Sequence, residues 1–448
     1  MSKKVRVLVS PPHIGNGDTW GGFGDVAANL WVALQLARRN PELSLEICPV
    51  VRDRRNQPIS SDFAGGLVFR LSEIIAAMLV GIDRSTLPQN LELPGIPSGL
   101  GSGKSPSRRE NDSGLADWAV SFSRNQCDLA LEAASVAKFV YLVEEPGRNE
   151  AHLVRTVKSP RQASVICLNG GSHGLGYYVE PNPINPLLSA ASRTACVRDL
   201  SAMAGVALSP NHQFAFVYPG REYSVDPYLN LYLSVARRTR RPTVIIVVGR
   251  TGEACTKASE GTHIIHLPSL PFTTFNRFIW LCDLPPTITG DVSLSHALDS
   301  SAVGRGFLYS SPSWKTFAVR ALRSDLQTSA ASVVTPEHYR KGLDISLTAV
   351  PDRFQVPEER ERLVSLLLDA AFQSWFAGLV GANLRRLSIV KNLEILMRWS
   401  LDMNSQSAVL EQLRKPRLVA ALTDSLDYGD FRARVKVNRT GFAGGPRV

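Results

Sequence analysis

The 448-residue sequence lacks the motifs that would mark a disulfide scaffold, a zinc site or a common hydrolase. No CxxC pair occurs, and no HExxH pattern or Ser/His/Asp order supports a hydrolase. Several cysteines lie in apolar runs, as reduced core cysteines do. The sequence therefore predicts neither disulfides nor a bound metal. The six cysteines are Cys48, Cys127, Cys167, Cys196, Cys255 and Cys282.

Long apolar runs are missing as well. No run approaches the roughly 20 residues of a membrane span, and the first residues, MSKKVRVLVSPP, lack the core of a signal peptide. We therefore expect a cytoplasmic protein with no membrane partner. Hydrophobic residues make up 44% of the chain and charged residues 20%, which excludes an intrinsically disordered protein. At this length, two domains with additional segments are expected.

Acidic residues are fewer than basic ones, and the net charge is +10. The basic excess is clustered at 237–241 (RRTRR), at 383–392 and in the tail 431–448. Such clusters attract anions. The cluster RRTRR closes a predicted helix just before a strand, and cations favour a helix C-terminus. No recognition-helix or RNP-like pattern is present, so nucleic acid is not an expected partner.

Short apolar runs alternate with amphipathic helical stretches in two successive parts of the chain. Helical spacing of apolar residues is clear at 22–37 and at 225–238. Strands that alternate with helices predict an α/β protein of two facing, doubly wound Rossmann-like domains with parallel sheets. The predicted strands are 4–10, 43–51, 138–145 and 163–169 in the first domain, and 214–219, 242–249 and 262–268 in the second.

Composition sets the expected domain boundaries. We place the N-terminal domain at 1–190, the second domain at 205–350 and a helical C-terminal extension with a basic tail at 351–448. Residues 87–114 are rich in Gly, Pro and Ser, which predicts a long mobile insertion, with an active-site lid as the alternative. The GSGK within it lacks the full P-loop spacing, so a P-loop is rejected. The apolar faces of the extension would pack on the second domain, on the cleft edge or on a partner.

The stretch TGDVSLSHAL (289–298) follows the strand-like LPPTIT and opens a helix. Ligands of such α/β domains bind at the carboxyl ends of the strands. Free backbone N–H groups and the positive dipole end suit a phosphate here, and Ser293 and Ser295 can add hydroxyl donors. Asp291 would repel a diphosphate, and capping explains it better from the residues alone. A sugar or ribose hydroxyl is another partner for Asp291.

Three segments together resemble a known enzyme family. The run LPSLPFTTFNRFIWLCDLPPTITGDVSLSHAL (267–298) resembles, distantly, the donor-binding segment of the bacterial elongation factor P arginine rhamnosyltransferases. The shared skeleton is LP…F/Y-x-R-x-x-W-x-CDL followed by a G-acid-x-S turn. Residues 22–37 are similar to the first loop and helix of that family, and residues 216–233 to the first strand of its C-terminal domain. The resemblance covers the region from Val5 to Arg320.

This resemblance implies the GT-B fold, an inverting and metal-independent mechanism, and a nucleotide-sugar donor such as dTDP-rhamnose. Asp25 falls on one of two essential aspartates of the family, and Tyr218 falls on a tyrosine that contacts the nucleotide. Asp291 falls on a functional glutamate, and Ser293 on a serine that binds phosphate. We also expect Phe272, Gly290 and Ser295 to line the donor site.

Several positions depart from the family pattern. Gly21 stands where the second essential aspartate would be, and Asp18 is the nearest substitute. The departures put dTDP-rhamnose and an arginine acceptor in doubt, and the helical region after residue 350 has no counterpart. On the donor side, Thr289 replaces an arginine, Val292 an acid, and Ser269 and Phe272 an aromatic residue and a glutamine.

Inverting sugar transfer needs a base near the acceptor and electrostatic stabilisation of the leaving diphosphate. We assign Asp25 as the base, with helix capping as the structural alternative. Neighbouring glycines leave space for a ligand around it. Expected acceptor contacts are Trp20, Gly22, Asn169 and His173, although Trp20 is also suited to the core and the glycines of 169–178 to shaping a loop.

The sequence thus predicts an inverting glycosyltransferase with no metal or cofactor, which uses a diphosphate-linked donor and a small-molecule or protein acceptor. One alternative is a transferase that uses a prenyl diphosphate on the same frame, because Ser269, Phe272 and Val292 make the donor site less polar. Another alternative is a non-catalytic ligand-binding homologue, in which Thr289 and Val292 mark the decay of the donor site.

Overall fold

The chain forms two compact units in the computed structural model. The first unit contains Met1–Tyr178 and Arg386–Val448, and the second contains Val179–Arg385. The structure describes residues 3–9, 23–49, 87–93, 116–122, 137–144, 154–158, 164–171, 174–180, 182–219, 223–249, 255–259, 261–330 and 336–440.

A seven-stranded sheet forms the centre of the first unit. Its strand order is β3-β2-β1-β4-β5-β7-β6, and all pairs are parallel except β6 with β7. Val5 on the central strand β1 pairs with Leu45 on one side and with Trp118 on the other. The strands are β1 (Lys3–Val9), β2 (Leu43–Pro49), β3 (Leu91–Glu92), β4 (Ala116–Phe122), β5 (Ala137–Glu144), β6 (Val154–Lys158) and β7 (Ser164–Asn169).

A six-stranded sheet forms the centre of the second unit, in the order β10-β11-β9-β8-β12-β13. Only the edge strand β10 is antiparallel to its neighbour among these described strands. All six residues of β9 are buried, as expected for a parallel strand that is covered on both faces. The strands are β8 (Gln213–Val217), β9 (Thr243–Val248), β10 (Cys255–Ser259), β11 (Thr262–Leu267), β12 (Thr287–Ile288) and β13 (Leu308–Tyr309).

Helices connect the strands and continue to the C-terminal part of the chain. In the first unit lie α1 (Phe23–Arg39), α11 (Ile389–Met403), α12 (Gln406–Leu413), α13 (Pro416–Asp424) and α14 (Tyr428–Thr440). In the second unit lie α2 (Ala190–Ala204), α3 (Asp226–Thr239), α4 (Phe272–Leu281), α5 (Asp291–Ser301), α6 (Thr316–Ala330), α7 (Glu337–Leu347), α8 (Pro351–Gln355) and α9 (Pro357–Leu368). Helix α10 (Ala370–Leu387) passes from the second unit into the first.

The predicted α/β class is confirmed, and so are the helices after residue 350. Those helices are divided between the units, because α8 and α9 pack on α3 in the second unit whereas α11 packs on α1 in the first. The expected boundaries at 190 and 205 stay predictions. Of the predicted insertion, 87–93 includes the short strand β3, and the rest lies outside the described residues.

Helix α3 shows how the second core is built. Its buried residues Tyr228, Leu231, Tyr232 and Val235 follow helical spacing and pack against the sheet and against α8 and α9. The helix ends at Thr239, and the following residue Arg240 caps it in the left-handed conformation with φ 54°. The cluster RRTRR therefore includes the last turn of a helix, as predicted.

No single helix among the described residues is both long enough and apolar enough to cross a membrane. Helices α9 and α10 meet this test only when taken as a pair, and they are bent by 74° at their junction.

Candidate functional site

The carboxyl edge of the second sheet brings three strand ends together. Strands β8, β12 and β13 are parallel neighbours, so Tyr218, Thr289 and Ser310 follow them at the same edge. The backbone N–H of Tyr218 donates to the carbonyl of Thr287 at 2.8 Å, and that of Ser310 donates to the carbonyl of Ile288 at 2.8 Å. The Thr289 hydroxyl donates to the carbonyl of Ser310 at 2.8 Å. These bonds fix the loops that leave the edge.

The ring of Tyr218 has a defined place at this edge. It packs edge to face against Phe275 of α4, with 5.1 Å between ring centroids. Gly249, which follows β9 with φ +81°, lies beneath the ring, and a Cβ at that position would be 3.3 Å from Tyr218 Cε2. Tyr218 stays partly exposed at the position predicted for nucleotide contact. Phe272 is the first residue of α4, but its side chain lies outside the described part of the chain.

The turn at Gly290 starts α5 without a side-chain cap. Gly290 occupies the N-cap position with φ 84°, and Asp291 is already the first helical residue. The capping interpretation of Asp291 is therefore wrong, because the residue at the cap is a glycine. Space does not explain the glycine, because a Cβ at this position would meet no atom within 4 Å. The positive φ is the reason that a glycine is needed here. The first N–H groups of α5 have no carbonyl partner within the helix.

The Asp291 side chain instead forms an ion pair with Lys315. Lys315 ends the 3-10 turn Ser313–Lys315, which follows β13. Both side chains are nearly enclosed, with 4% of Lys315 and 11% of Asp291 exposed. The carboxylate that repels a diphosphate is thus paired with an ammonium at the same turn. Lys315 is not among the residues predicted from the sequence, and the two-residue strand β13 is the feature that brings it to the same edge as Thr289.

The two predicted serines of α5 differ in their surroundings. Ser293 in the first turn is partly exposed. Ser295 is completely buried, and its hydroxyl donates to the carbonyl of Asp291 at 2.8 Å. A serine hydroxyl commonly bonds back to the carbonyl four residues earlier within a helix. The Ser293 side chain therefore reaches the surface at the start of α5, whereas the Ser295 hydroxyl is held by the helix backbone, and the donor roles expected for both serines stay predictions.

Two buried titratable groups lie further along α5. Burial lowers the pKa of His296 to about 4. Burial also raises the pKa of Asp299 well above its usual value, although Asp299 Oδ1 accepts a hydrogen bond from the backbone N–H of Glu180 at 2.9 Å. Sequence reasoning did not single out either residue, because a helix with so many polar residues does not appear buried.

The predicted acceptor side is only partly described. Asp18, Trp20, Gly22 and His173 lie outside the described residues. Asp25 is the third residue of α1, so its backbone lies in the first turn and not at the cap position. The side chain of Asp25 is outside the described part, as is that of Asn169, the last residue of β7. The roles assigned to these six residues stay predictions.

Two glycines in the segment 169–178 fix the conformation of this loop. Gly171 and Gly176 form an isolated bridge, in which the N–H of Gly171 donates to the carbonyl of Gly176 at 2.6 Å. Gly176 has φ +104°, and a Cβ there would lie 2.1 Å from the carbonyl oxygen of Leu387. The N–H of Tyr177 donates to the same oxygen at 2.6 Å. These contacts favour the loop-shaping interpretation of the glycines.

Within the described ranges, no group of three or more His, Cys, Asp or Glu side chains is arranged to hold a metal ion. Metal independence stays a prediction, because the first loop lies outside those ranges.

Comparisons with known proteins give only weak similarities. No family model matches the chain, and no curated protein matches it. A structure described as "Trehalose-6-phosphate from E. coli bound with UDP-2-fluoro glucose" is similar at 10% identity and a TM-score of 0.37, over 94% of this chain and 99% of that one. WaaG, a glycosyltransferase involved in lipopolysaccharide biosynthesis, is similar at 11% identity and a TM-score of 0.32, over 94% of this chain and 100% of WaaG.

A UGT transferase from Siraitia grosvenorii in complex with UDP is also similar, at 11% identity and a TM-score of 0.32, over 92% of this chain and 100% of that one.

Proposed function

We propose that the protein is a glycosyltransferase of the GT-B type, which transfers a sugar from a nucleotide-sugar donor to a protein or small-molecule acceptor and releases the nucleoside diphosphate. One observation carries the proposal. The G-acid-x-S turn on which the family resemblance rests lies at the carboxyl edge of a parallel sheet and opens α5 at Gly290. This is the location at which such sheets bind their ligands.

The chemistry of the turn suits a leaving diphosphate. The N–H groups at the start of α5 and the positive end of its dipole stabilise negative charge, and the partly exposed Ser293 can add a hydroxyl donor. The Lys315 ammonium adds a positive charge beside Asp291. We assign contact with the nucleotide base to Tyr218, and the packing of its ring against Phe275 at the neighbouring strand end supports this assignment.

The acceptor half of the proposal comes from the sequence. Asp25 would remove the proton of the acceptor nucleophile, with Asp18 as the second carboxylate of the site. Such a base and a preorganised diphosphate site are sufficient for inversion in one step without a metal. Trp20, Gly22, Asn169 and His173 would position the acceptor.

Calorimetric titration of the full chain with UDP, dTDP, GDP and geranyl diphosphate tests the donor class. We expect one nucleoside diphosphate to bind and Ser293→Ala to weaken its binding about fivefold or more, as expected for one lost hydrogen bond. The matched control is Ser407→Ala, at an exposed serine of α12 in the first unit, which should leave binding unchanged. Binding of geranyl diphosphate alone would keep the diphosphate site and overturn the sugar donor.

Turnover is the second half of the test. Once a nucleoside diphosphate binds, the corresponding nucleotide sugars are incubated with the protein, and release of the nucleotide is measured. Slow release without an acceptor, stimulated by the correct acceptor, supports a transferase. Binding without release under any of these conditions would favour the non-catalytic homologue.

A further inference from the structure

Lys315 brings an enclosed ammonium to the turn that opens α5. It lies 24 residues from Asp291 in sequence, and its side chain is only 4% exposed. By contrast, the Lys341–Glu337 pair on α7 of the same unit has side chains that are 63% and 79% exposed. Exposed pairs of this kind contribute little to stability.

An enclosed ion pair carries a desolvation cost for both charges, and replacing such pairs by apolar residues is often neutral or stabilising. Stability alone is therefore a weak reason for this pair. The pair lies at the proposed diphosphate site, where a positive charge has a direct use.

The backbone around the pair is well fixed. The N–H of Lys315 donates to the carbonyl of Pro312 at 2.9 Å, which closes the 3-10 turn. Strand β12 precedes Asp291 and strand β13 precedes Lys315, and the two strands are parallel neighbours. A hydrogen bond from the Thr289 hydroxyl to the carbonyl of Ser310 joins the loops that follow them. The ammonium is therefore held at a defined position, so binding an anion there does not require the loop to be ordered first.

We propose that Lys315 binds the diphosphate of the donor, and that Asp291 is its counter-ion whenever no donor is bound. This inference rests on the proposed function and assigns the cation of the donor site. A diphosphate that arrives at the turn competes with the Asp291 carboxylate for the ammonium. Asp291 thus keeps Lys315 enclosed without a ligand, and its charge opposes the binding of anions.

The competition predicts effects of opposite sign at the two members of one ion pair. Lys315→Gln removes the cation and should weaken diphosphate binding about tenfold or more, as expected for one lost charge-assisted hydrogen bond. Asp291→Asn keeps the shape but removes the competing charge, so it should strengthen binding about threefold or more. If the ion pair had only a structural role, both substitutions should weaken binding.

The experiment is calorimetric titration of the full chain with inorganic pyrophosphate, UDP, dTDP and GDP, at two salt concentrations. The variants are Lys315→Gln, Asp291→Asn and the double variant Asp291→Asn/Lys315→Met. The double variant removes both charges together, so no buried charge is left unpaired if Lys315→Gln fails to fold. Lys341→Gln at the exposed pair is the matched control and should bind like the wild type.

The expected result is weaker diphosphate binding in Lys315→Gln, stronger binding in Asp291→Asn and weak binding in the double variant. Effects of the same sign at both positions, or wild-type affinity in Lys315→Gln or in the double variant, would overturn the inference. If UDP, dTDP or GDP binds those variants as tightly as the wild type, the inference fails while the proposed function stands. If pyrophosphate alone binds and shows the opposite signs, the ion-pair competition is supported and the nucleotide-sugar donor is overturned.

Discussion

His296 lies in the middle of α5 with its imidazole enclosed, and burial lowers its pKa to about 4 from the usual 6.5. Between these values the unfolded chain binds a proton that the folded chain does not. Stability therefore falls as the pH falls from about 6.5 towards about 4, and the residue has no such effect above that range. At the acid end this difference amounts to about 1–3 kcal/mol.

The test compares the wild type with His296→Phe by urea denaturation at pH 7 and at pH 4.5. The wild type should lose more stability than the variant between the two pH values. An equal loss in both proteins would show that His296 is not the group that titrates.

Gly176 is a second position where one residue decides the local structure. Gly176→Ala should reduce the free energy of unfolding by about 2 kcal/mol or more, because the added Cβ would meet the carbonyl oxygen of Leu387 at 2.1 Å with φ +104°. Gly378→Ala on α10 is the matched control. A Cβ there meets no atom within 4 Å, and alanine is the better helix former by about 1 kcal/mol. Equal melting temperatures for the two variants would contradict this account.

Individual site residues were only partly predictable from the sequence. Gly290, Asp291 and Ser293 were predicted as donor contacts because a glycine, an acid and a serine at the start of a helix have direct physical meanings, and these roles stay predictions. Lys315 could not be assigned, since only the pairing of β12 with β13 brings it to Asp291. Ser295 was assigned by proximity in sequence, but the helix directs its hydroxyl back to the backbone.

At the scale of elements, the helix end at α13 depends on a buried cation. Lys391 of α11 donates from Nζ to the carbonyl oxygens of Thr423 at 2.8 Å and Ser425 at 2.6 Å. These carbonyls lie at the C-terminus of α13, where a cation is favourable. Burial still lowers the pKa of Lys391 to about 8 from 10.5, despite the carboxylates of Asp424 and Asp430.

This lowered pKa gives a prediction with a defined sign. Between pH 8 and 10.5 the unfolded chain binds the proton and the folded chain does not, so the contribution of Lys391 to stability increases as the pH rises. From pH 7.5 to pH 10 the wild type should therefore gain about 1–3 kcal/mol of unfolding free energy relative to Lys391→Met. A difference that stays constant or shrinks across this range would contradict the prediction.

Most elements could be predicted because their apolar patterns are strong. The seven predicted strands match β1, β2, β5, β7, β8, β9 and β11. The missed edge strands β6 (VRTVK) and β10 (CTKAS) are short and polar, and they are antiparallel to their neighbours. The edge strand β3 was missed because it has two residues and lies in the segment predicted as an insertion. Strand β4 (ADWAVSF) was missed because it follows the Gly- and Ser-rich segment, and β13 because it has two residues. Helix α2 was missed because charged and small residues interrupt its apolar positions.

At the scale of the whole molecule, the two-unit organisation follows from length and from the repeated alternation of strands and helices. The return of the chain into the first unit after α10 did not follow, because the apolar faces of α11–α14 do not specify which sheet they cover. The two halves of the proposed reaction also rest on different grounds. The donor half is built from described contacts at Tyr218, Gly290 and Lys315, whereas the acceptor half rests on the sequence around Asp25.

Amide hydrogen exchange of the full chain, with and without the nucleoside diphosphate that binds most tightly, tests the central claim most directly. The account predicts slower exchange at 289–295 and at 218 in the presence of the nucleotide, because the diphosphate occupies the start of α5 and the base contacts Tyr218. Protection confined to the first unit, or none at 289–295 under saturating nucleotide, would contradict it.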